Sequence, residues 1–455
     1  MSTASAIPHR TGDPAGEQAG APGLYAGARP FGFSAPWALF WTALLVRVAY
    51  MTLAHTYRFN ALEDHFHFGW EMGRIARSLA EGGGYADPFA GHTGPTAWVP
   101  PLFPFLLAAV FRIFGVYSAA SAWAILALNS LFSAITALAI YEIALRCFGR
   151  KNALWSGWLW ALYPAAMQFA VRWVWETALT AMLFSWALAA ALRMRRIGEG
   201  AGRAAGPQST SAWLTLGLCW ALIALANPSL LLFLPACGLW ILAGAAHKPR
   251  AAGQAALAAL LFLACLAPWT WRNWKVLHAF VPLRSNLGAE MWAWNKPGSN
   301  GITLGATMEP VLQDRRLMLY ARLGEIAYCR YRGDQAKAYI YAHPWRFARL
   351  SLKRVYFFWV SVPHPVDNRP LIEGGRELSY FFLSLSGLLG LLLALKNRAP
   401  SAWLFAWAFL LLPLTYYLVN VQARFRHPLE PLIDILSVYL FQSARPRRAA
   451  AHPRE

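Results

Sequence analysis

The chain has 455 residues, of which 57% are hydrophobic and 14% are charged. Its 41 Lys and Arg residues outnumber the 21 Asp and Glu, giving a formal net charge of +20. Soluble domains carry about 25% charged residues, and the long apolar runs of this chain exclude a soluble fold and a basic nucleic-acid-binding surface. The composition therefore predicts a polytopic membrane protein, in which positive charge first reports topology.

Ten segments are apolar over about the 20 residues that a membrane-crossing helix needs. They are 36–55, 119–145, 152–170, 174–193, 211–226, 228–246, 251–270, 379–395, 401–420 and 428–443. Two further apolar stretches, 100–115 and 345–362, are interrupted by prolines or by cations. If the cationic clusters between spans are cytoplasmic, the ten spans alternate without contradiction. Both termini are then cytoplasmic, and the two interrupted stretches are interfacial or re-entrant segments on the outer side, with the interfacial interpretation preferred.

This topology predicts five parts, listed here in chain order. They are a disordered cytoplasmic tail (1–35), an N-terminal transmembrane module (36–270) that contains a long external loop (57–118), an external cap region (271–378), C-terminal transmembrane helices (379–443) and a basic cytoplasmic tail (444–455). The expected fold class is an all-α bundle of about 10–12 transmembrane helices. Interfacial helices in the 57–118 loop and a small, mostly helical external region complete it. Because the tail lacks an apolar core, the first span is expected to act as an uncleaved signal.

Acidic residues are scarce in the chain but crowd into the 57–118 loop, where Glu63, Asp64, Glu71, Glu81 and Asp87 lie. Residues 64–79 fit an amphipathic helix that glycines 82–84 end. One side of this helix carries Asp64, His67, Glu71 and Arg74 at helical spacing. One carboxylate would be a general base, with Arg74 orienting it or contacting an anion. The alternative is the ordinary polar face of an interfacial helix.

Cations at the outer ends of spans run against the inside bias and are candidates to bind an anion. They are Arg172, followed by Glu176, then Arg272, Arg424 and Arg426. The planar guanidinium group suits phosphate. The alternatives are a helix-junction ion pair for Arg172 and Glu176 and snorkelling to lipid headgroups for the others. If Arg172 is functional, Glu176 is expected to hold it. Arg47, inside the first span, is expected to pack inward.

Several motifs, in this order along the chain, resemble the glycosyltransferase C superfamily. They are IARSLAEGGGYADPF, WVPPLFPFLLAAVFRIFG, RCFGRKNALWSGWLWALYP, ALANPSLLLFLP, PWTWRNWKVLHAFVPL and ARFRHPLEPL. Within the superfamily the chain is most similar to the family 39 type, which includes protein O-mannosyltransferases and lipid A aminoarabinose transferases. The resemblance covers most of residues 36–442.

The resemblance implies transfer of a sugar from a polyprenyl-phosphate carrier to an acceptor outside the cytoplasm, by direct displacement with inversion. In the family an acidic residue of the first external loop is the base, and basic residues hold the carrier phosphate. The family's usual Asp-Glu pair would fall near His67 and Phe68, which are not acidic. The base is therefore expected at Glu71 or Asp64, and the sequence leaves both open.

The sequence thus favours an integral glycosyltransferase of a bacterial inner or plasma membrane, with its active site on the extracytoplasmic face. Glu71 or Asp64 is the catalytic candidate, and the substrate-binding candidates are His67, Arg74, Arg172, Glu176, Arg272, Arg424 and Arg426. The expected partners are a polyprenyl-phosphate sugar donor, membrane lipids and an acceptor that is protein, lipid or glycan, with no nucleic acid. A divalent metal could bind the carboxylates, but no ligand spacing indicates one.

Two other functions compete with this interpretation. A transporter or lipid flippase is disfavoured because no inverted repeat is visible and the charged groups gather at one face. A non-catalytic relative is the other alternative, since the family's Asp-Glu pair is missing.

Overall fold

The computed structural model describes residues 35–59, 68–199, 208–302, 314–362 and 370–444. The α-helices are α1 (Ala35–Leu53), α2 (Glu71–Ala80), α3 (Leu102–Phe114), α4 (Ala119–Phe148), α5 (Arg150–Leu162), α6 (Pro164–Val171), α7 (Thr177–Met194), α8 (Thr210–Ala226), α9 (Leu234–Ala243), α10 (Lys248–Leu277), α11 (Leu287–Asn295), α12 (Asp314–Leu323), α13 (Glu325–Ala342), α14 (Pro344–Val360), α15 (Pro370–Lys396), α16 (Ala402–Leu411), α17 (Leu414–Leu418) and α18 (Glu430–Ser443). The 3₁₀ helices Pro228–Phe233 and Ala423–Leu429 lead into α9 and α18. Except for residues 35 and 444, the two predicted tails lie outside the described ranges.

Five of these helices are long and apolar enough to cross a membrane: α1, α4, α7, α10 and the Gly374–Lys396 part of α15. Shorter apolar helices occupy Leu102–Phe114, Thr210–Ala226, Pro228–Ala243 and Ala402–Leu418. No β-strand occurs within the described ranges. The prediction of an all-α polytopic membrane fold is therefore confirmed.

Prolines divide several of the predicted spans into two helical pieces. The 152–170 span is α5 followed by α6, which begins at Pro164. The 401–420 span is α16 followed by α17, and Pro413 is the residue before α17. Proline has no backbone N–H and clashes with the preceding turn, so each helix breaks near it.

Arg47 packs inward from α1, as expected, and its role in the fold follows from the break at Pro164. It is fully buried, and its guanidinium donates to Trp160 O and Ala161 O, each at 2.9 Å. Pro164 cannot donate to Trp160 O, four residues earlier. Arg47 therefore satisfies carbonyls at the end of α5 that would otherwise be left without a donor.

The two interrupted apolar stretches form α3 and α14. In α14, three of the four cations that interrupt the stretch bind backbone carbonyls at the end of α11 and in the loop after it. Arg354 is fully buried and donates to Trp294 O at 2.8 Å and Gly301 O at 3.0 Å. Lys353 donates to Asn300 O at 3.0 Å. These cations therefore fix α14 to the residues that follow α11, which carries part of the candidate site.

Candidate functional site

The helix of the 57–118 loop is shorter than predicted. Gly69 and Trp70 both have positive φ angles, of 85° and 51°, and α2 begins at Glu71. Helical residues have negative φ, so a continuous helix over 64–79 is wrong, and with it the single polar face proposed for that helix. Glu71 and Arg74 remain together in the first turn of α2. Asp64 and His67 lie outside the described residues.

A close backbone contact places the start of α2 against the turn between α6 and α7. A Cβ atom on Gly69 would lie 2.5 Å from Val174 O, which is too close for any side chain. Gly69 therefore allows both the positive φ and this approach. The contact brings Glu71 next to the 172–176 turn.

Arg424, in the 3₁₀ helix before α18, is the cation around which this site is built. Its Cζ atom lies 3.4 Å from the ring centroid of Trp175. Electrostatic interactions join Arg424 to Glu176, Glu71 and Glu290, which come from three separate parts of the chain. Burial lowers the pKa of Arg424, and these carboxylates oppose that effect. The predicted anion-binding cation thus interacts with two predicted carboxylates, Glu71 and Glu176, and with Glu290.

Glu71 is half-buried, and burial around its carboxyl group raises its pKa. The charge of Glu290 raises that pKa further, whereas the charges of Arg74 and Arg424 lower it. A carboxylate with a raised pKa accepts a proton more readily than an ordinary one. The environment of Glu71 therefore suits a general base.

Glu290, on α11, is a member of this cluster that the sequence did not indicate. Trp294 Nε1 donates to its Oε2 at 2.9 Å, Asn420 Nδ2 to the same oxygen at 3.2 Å, and Asn286 Nδ2 to its Oε1 at 3.3 Å. These donors fix the carboxylate in place. The contact with Asn420 joins residues 130 positions apart, so no local motif could have predicted it.

Glu176 is turned toward Arg424 and not toward Arg172. It is 8% exposed, and Asn227 Nδ2 donates to its Oε1 at 3.5 Å and to the Tyr416 hydroxyl at the same distance. Arg172 is exposed at the end of α6. The expectation that Glu176 holds Arg172 is therefore wrong, because burial and Asn227 direct the carboxylate to the other side.

Arg272, near the end of α10, forms hydrogen bonds with the 57–118 loop. It donates to Tyr85 O and to Thr96 O, each at 2.6 Å, and to Asn273 Oδ1 at 3.0 Å. It also lies over the Tyr85 and Trp269 rings. Arg272 therefore fixes the loop to the bundle. Its guanidinium group is used within the protein and not for binding a phosphate.

Arg426 is likewise used inside the protein. It is 1% exposed and forms an ion pair with Glu430, with Nε 2.6 Å from Oε1. It also donates to Trp359 O at 2.9 Å and to the Ser384 hydroxyl. With its donors occupied and no exposed surface, Arg426 has none to offer a phosphate, so the prediction that it binds one is corrected.

A second buried carboxylate, Glu325 at the start of α13, clamps the 57–118 loop to the 271–378 segment. It accepts hydrogen bonds from Ala97 N at 2.7 Å, Ser285 Oγ at 2.7 Å, Tyr320 OH at 2.9 Å and the Thr96 hydroxyl. It is 5% exposed. The clamp fixes the loop that follows α2 to the segment that carries Glu290.

We expect Glu325→Gln to lower the free energy of unfolding by about 2–4 kcal/mol, because an amide nitrogen cannot accept and leaves buried donors unpaired. Thermal unfolding of the purified protein in detergent measures this. Asp334→Asn is the matched control, since Asp334 lies on the same helix in an exposed ion pair with Lys337. Equal melting temperatures for Glu325→Gln and wild type would contradict the clamp.

Within the part of the chain that the structure describes, no group of three His, Cys, Asp or Glu residues is arranged to hold a metal ion. The described side chains of the site supply a carboxylate with a raised pKa, a guanidinium group and further carboxylates that surround it. This combination can accept a proton at one point and hold an anion at another.

Comparison with protein families gives a match over part of the chain. Residues 98–271 match the model of a family described as Dolichyl-phosphate-mannose-protein mannosyltransferase. Over this stretch the chain is similar to that family. The resemblance to the glycosyltransferase C superfamily is thereby confirmed for these residues. No curated protein matches the chain.

Solved structures with a similar course of the chain include two from Archaeoglobus fulgidus. The oligosaccharyltransferase in complex with Zn and sulfate is 14% identical, with a TM-score of 0.48, over 90% of this chain and 49% of that chain. AglB, in complex with an inhibitory peptide and a dolichol-phosphate, is 14% identical, with a TM-score of 0.48, over 89% of this chain and 50% of that chain. ArnT from Cupriavidus metallidurans, bound to undecaprenyl phosphate, is 13% identical, with a TM-score of 0.38, over 89% of this chain and 77% of that chain. This chain thus spans about half the length of the oligosaccharyltransferases.

Proposed function

We propose that this protein is an integral membrane glycosyltransferase that moves a sugar from a polyprenyl-phosphate carrier to an acceptor on the extracytoplasmic side. The observation that carries the proposal is the cluster in which Arg424 interacts with Glu71, Glu176 and Glu290. It joins a candidate base to a candidate phosphate-binding group. The family match over residues 98–271 supports the same donor class.

The proposed reaction is a single displacement with inversion at the sugar carbon. The acceptor hydroxyl oxygen attacks the carbon that bears the phosphate, and the bond from that carbon to the phosphate oxygen breaks. The electron pair of that bond leaves with the phosphate, and the hydroxyl proton passes to Glu71. An alcohol is a weak nucleophile near neutral pH, so proton removal in the transition state speeds the reaction. Asp64 is the second candidate for the base.

Arg424 is proposed to stabilise the negative charge that grows on the leaving phosphate. A guanidinium group offers planar, paired donors for phosphate oxygens. Its position in a partly buried site strengthens the interaction relative to bulk water. Arg172 is exposed at the neighbouring turn, and we propose that it attracts the carrier phosphate as the carrier approaches.

Transfer from a labelled donor tests the proposal. The purified protein, in vesicles of bacterial lipid, receives undecaprenyl phosphate carrying radiolabelled glucose, mannose, galactose or N-acetylglucosamine, together with a membrane extract as acceptor source. We expect label in a product of opposite anomeric configuration, and only when the donor is on the side away from the termini. Flipping of the lipid without transfer supports the transporter alternative. Absence of both binding and transfer supports a non-catalytic relative.

A further inference from the structure

We propose that Glu176 and Thr177, at the start of α7, form a subsite that recognises two neighbouring hydroxyl groups of the donor sugar. This inference rests on the proposed function and extends it from the carrier phosphate to the sugar. It assigns the two residues, together with Nε–H of Arg424, to sugar recognition, whereas Glu71 takes the proton and the terminal amino groups of Arg424 hold the phosphate.

Unpartnered polar atoms mark the subsite. Glu176 Oε2 and Thr177 Oγ1 are buried and have no hydrogen-bond partner in the described part of the chain, and the same is true of Arg424 Nε. Glu176 is 8% exposed and Thr177 is 3% exposed. Buried polar groups in proteins almost always have a partner, and an unpartnered one costs free energy. Glu176 and Thr177 are consecutive at the start of α7, and Arg424 interacts electrostatically with Glu176. We infer that one ligand completes the three atoms around this end of the helix.

Neighbouring residues hold one oxygen of Glu176 and pack against the guanidinium group of Arg424. Asn227 fixes the other oxygen of Glu176, Oε1, at 3.5 Å, and Ser229 N in turn donates to Asn227 Oδ1 at 3.2 Å. Trp175 carries the Arg424 guanidinium over its ring at 3.4 Å. One oxygen of Glu176 is therefore fixed by protein, and its other oxygen and Nε of Arg424 are left for a ligand.

The chemistry of these atoms fits a sugar better than a phosphate or a cation. Glu176 Oε2 only accepts, Arg424 Nε–H only donates, and the Thr177 hydroxyl does either. A sugar hydroxyl both donates and accepts, so two adjacent hydroxyls can pair with all three atoms. A phosphate finds donors in the terminal amino groups of Arg424, where we place it, but Glu176 Oε2 repels it. A cation would satisfy Glu176 and be repelled by Arg424.

Binding measurements that separate the sugar from the carrier test this inference. The probes are undecaprenyl phosphate and the undecaprenyl phosphate sugar that the wild type transfers, and dissociation constants are measured for wild type, Glu176→Gln and Thr177→Val. We expect the sugar-bearing probe to bind about tenfold or more weakly to Glu176→Gln and about threefold or more weakly to Thr177→Val. Neither variant should weaken the binding of undecaprenyl phosphate itself, and Glu176→Gln should bind it as tightly as the wild type or more tightly, because it removes a carboxylate that interacts with Arg424.

Thr180→Val is the matched control, because Thr180 lies one turn further along α7 and its hydroxyl is already bonded to Thr177 O at 3.0 Å. It should leave both affinities unchanged. If a variant fails to fold, deoxy versions of the donor sugar are tested on the wild type, and removing the recognised hydroxyls should weaken binding by the same factor.

Failure of the proposed function and failure of the sugar subsite give different results in this experiment. A wild type that binds neither probe overturns the proposed function. A wild type that binds both probes, while the variants weaken both equally or neither, overturns the sugar subsite and leaves the proposed function standing. In that case ordered water satisfies Glu176 and Thr177.

Discussion

Glu71→Gln is expected to lower the rate of sugar transfer by about 10²–10⁴-fold, the usual contribution of a general base. Gln keeps the size and polarity of Glu but cannot take a proton from the acceptor hydroxyl. Because donor binding depends on other groups, KM for the donor should change far less than kcat. Initial rates of transfer with labelled donor measure both.

The matched control is Glu81→Gln, just beyond the end of the same helix, where Glu81 is exposed and faces Arg77 at 4.0 Å. It should leave the rate unchanged. Asp64→Asn decides between the two candidate bases. If Asp64→Asn abolishes transfer and Glu71→Gln does not, Asp64 is the base and the assignment of Glu71 is wrong.

The dependence of the rate on pH follows from the direction of the Glu71 pKa shift. Burial and Glu290 raise that pKa above its ordinary value, and a base works only in its deprotonated form. The rate should therefore climb with rising pH through the raised pKa and fall on acidification below it. In Glu71→Gln this limb of the pH–rate profile should disappear.

Replacing Glu71 by Gln should lower activity without lowering stability. An acid whose folded-state pKa is raised contributes stability below its unfolded pKa, and this contribution is lost as pH rises through the folded pKa. At neutral pH the wild type thus bears the cost of a buried charge. Glu71→Gln is expected to melt no lower than wild type there, so its loss of activity cannot be explained by unfolding.

The sequence predicted those parts of the fold and site that depend on local pattern. Apolar runs identified the helical bundle, and the spacing of Glu71 and Arg74 placed them in one helical turn. The local signal for the early end of α2 was present in Gly69, which takes a conformation open chiefly to glycine. The sequence also contained a local signal for the ion pair of Arg426, because Glu430 follows it at the i, i+4 spacing of a helical ion pair.

The remaining parts of the site depend on contacts between distant residues. Glu290 meets Asn420 across 130 positions, and Glu325 meets Thr96 across 229. Such contacts arise from the packing of whole helices, and a charge pattern along one segment carries no information about them. For the same reason the sequence did not show that Arg424, two residues before Arg426, enters the carboxylate cluster.

Arg424→Gln is expected to lower kcat/KM for the donor by about 10²-fold or more, the usual loss when a donor to a developing negative charge is removed. Arg424→Lys keeps the charge but loses the planar fork and the contact with the Trp175 ring, so it should recover only part of the activity. Arg349→Gln, an exposed cation of α14, is the control and should match wild type.

The pH–rate profile separates loss of phosphate binding from general damage to the site. Arg424 lowers the pKa of Glu71 and Glu290 raises it. Arg424→Gln should therefore shift the acidic limb of the profile to higher pH, and Glu290→Gln should shift it to lower pH. A structural defect alone would lower the rate without moving these midpoints in opposite directions. If both variants keep the wild-type midpoint, Glu71 is not the titrating base and the electrostatic cluster does not govern the reaction.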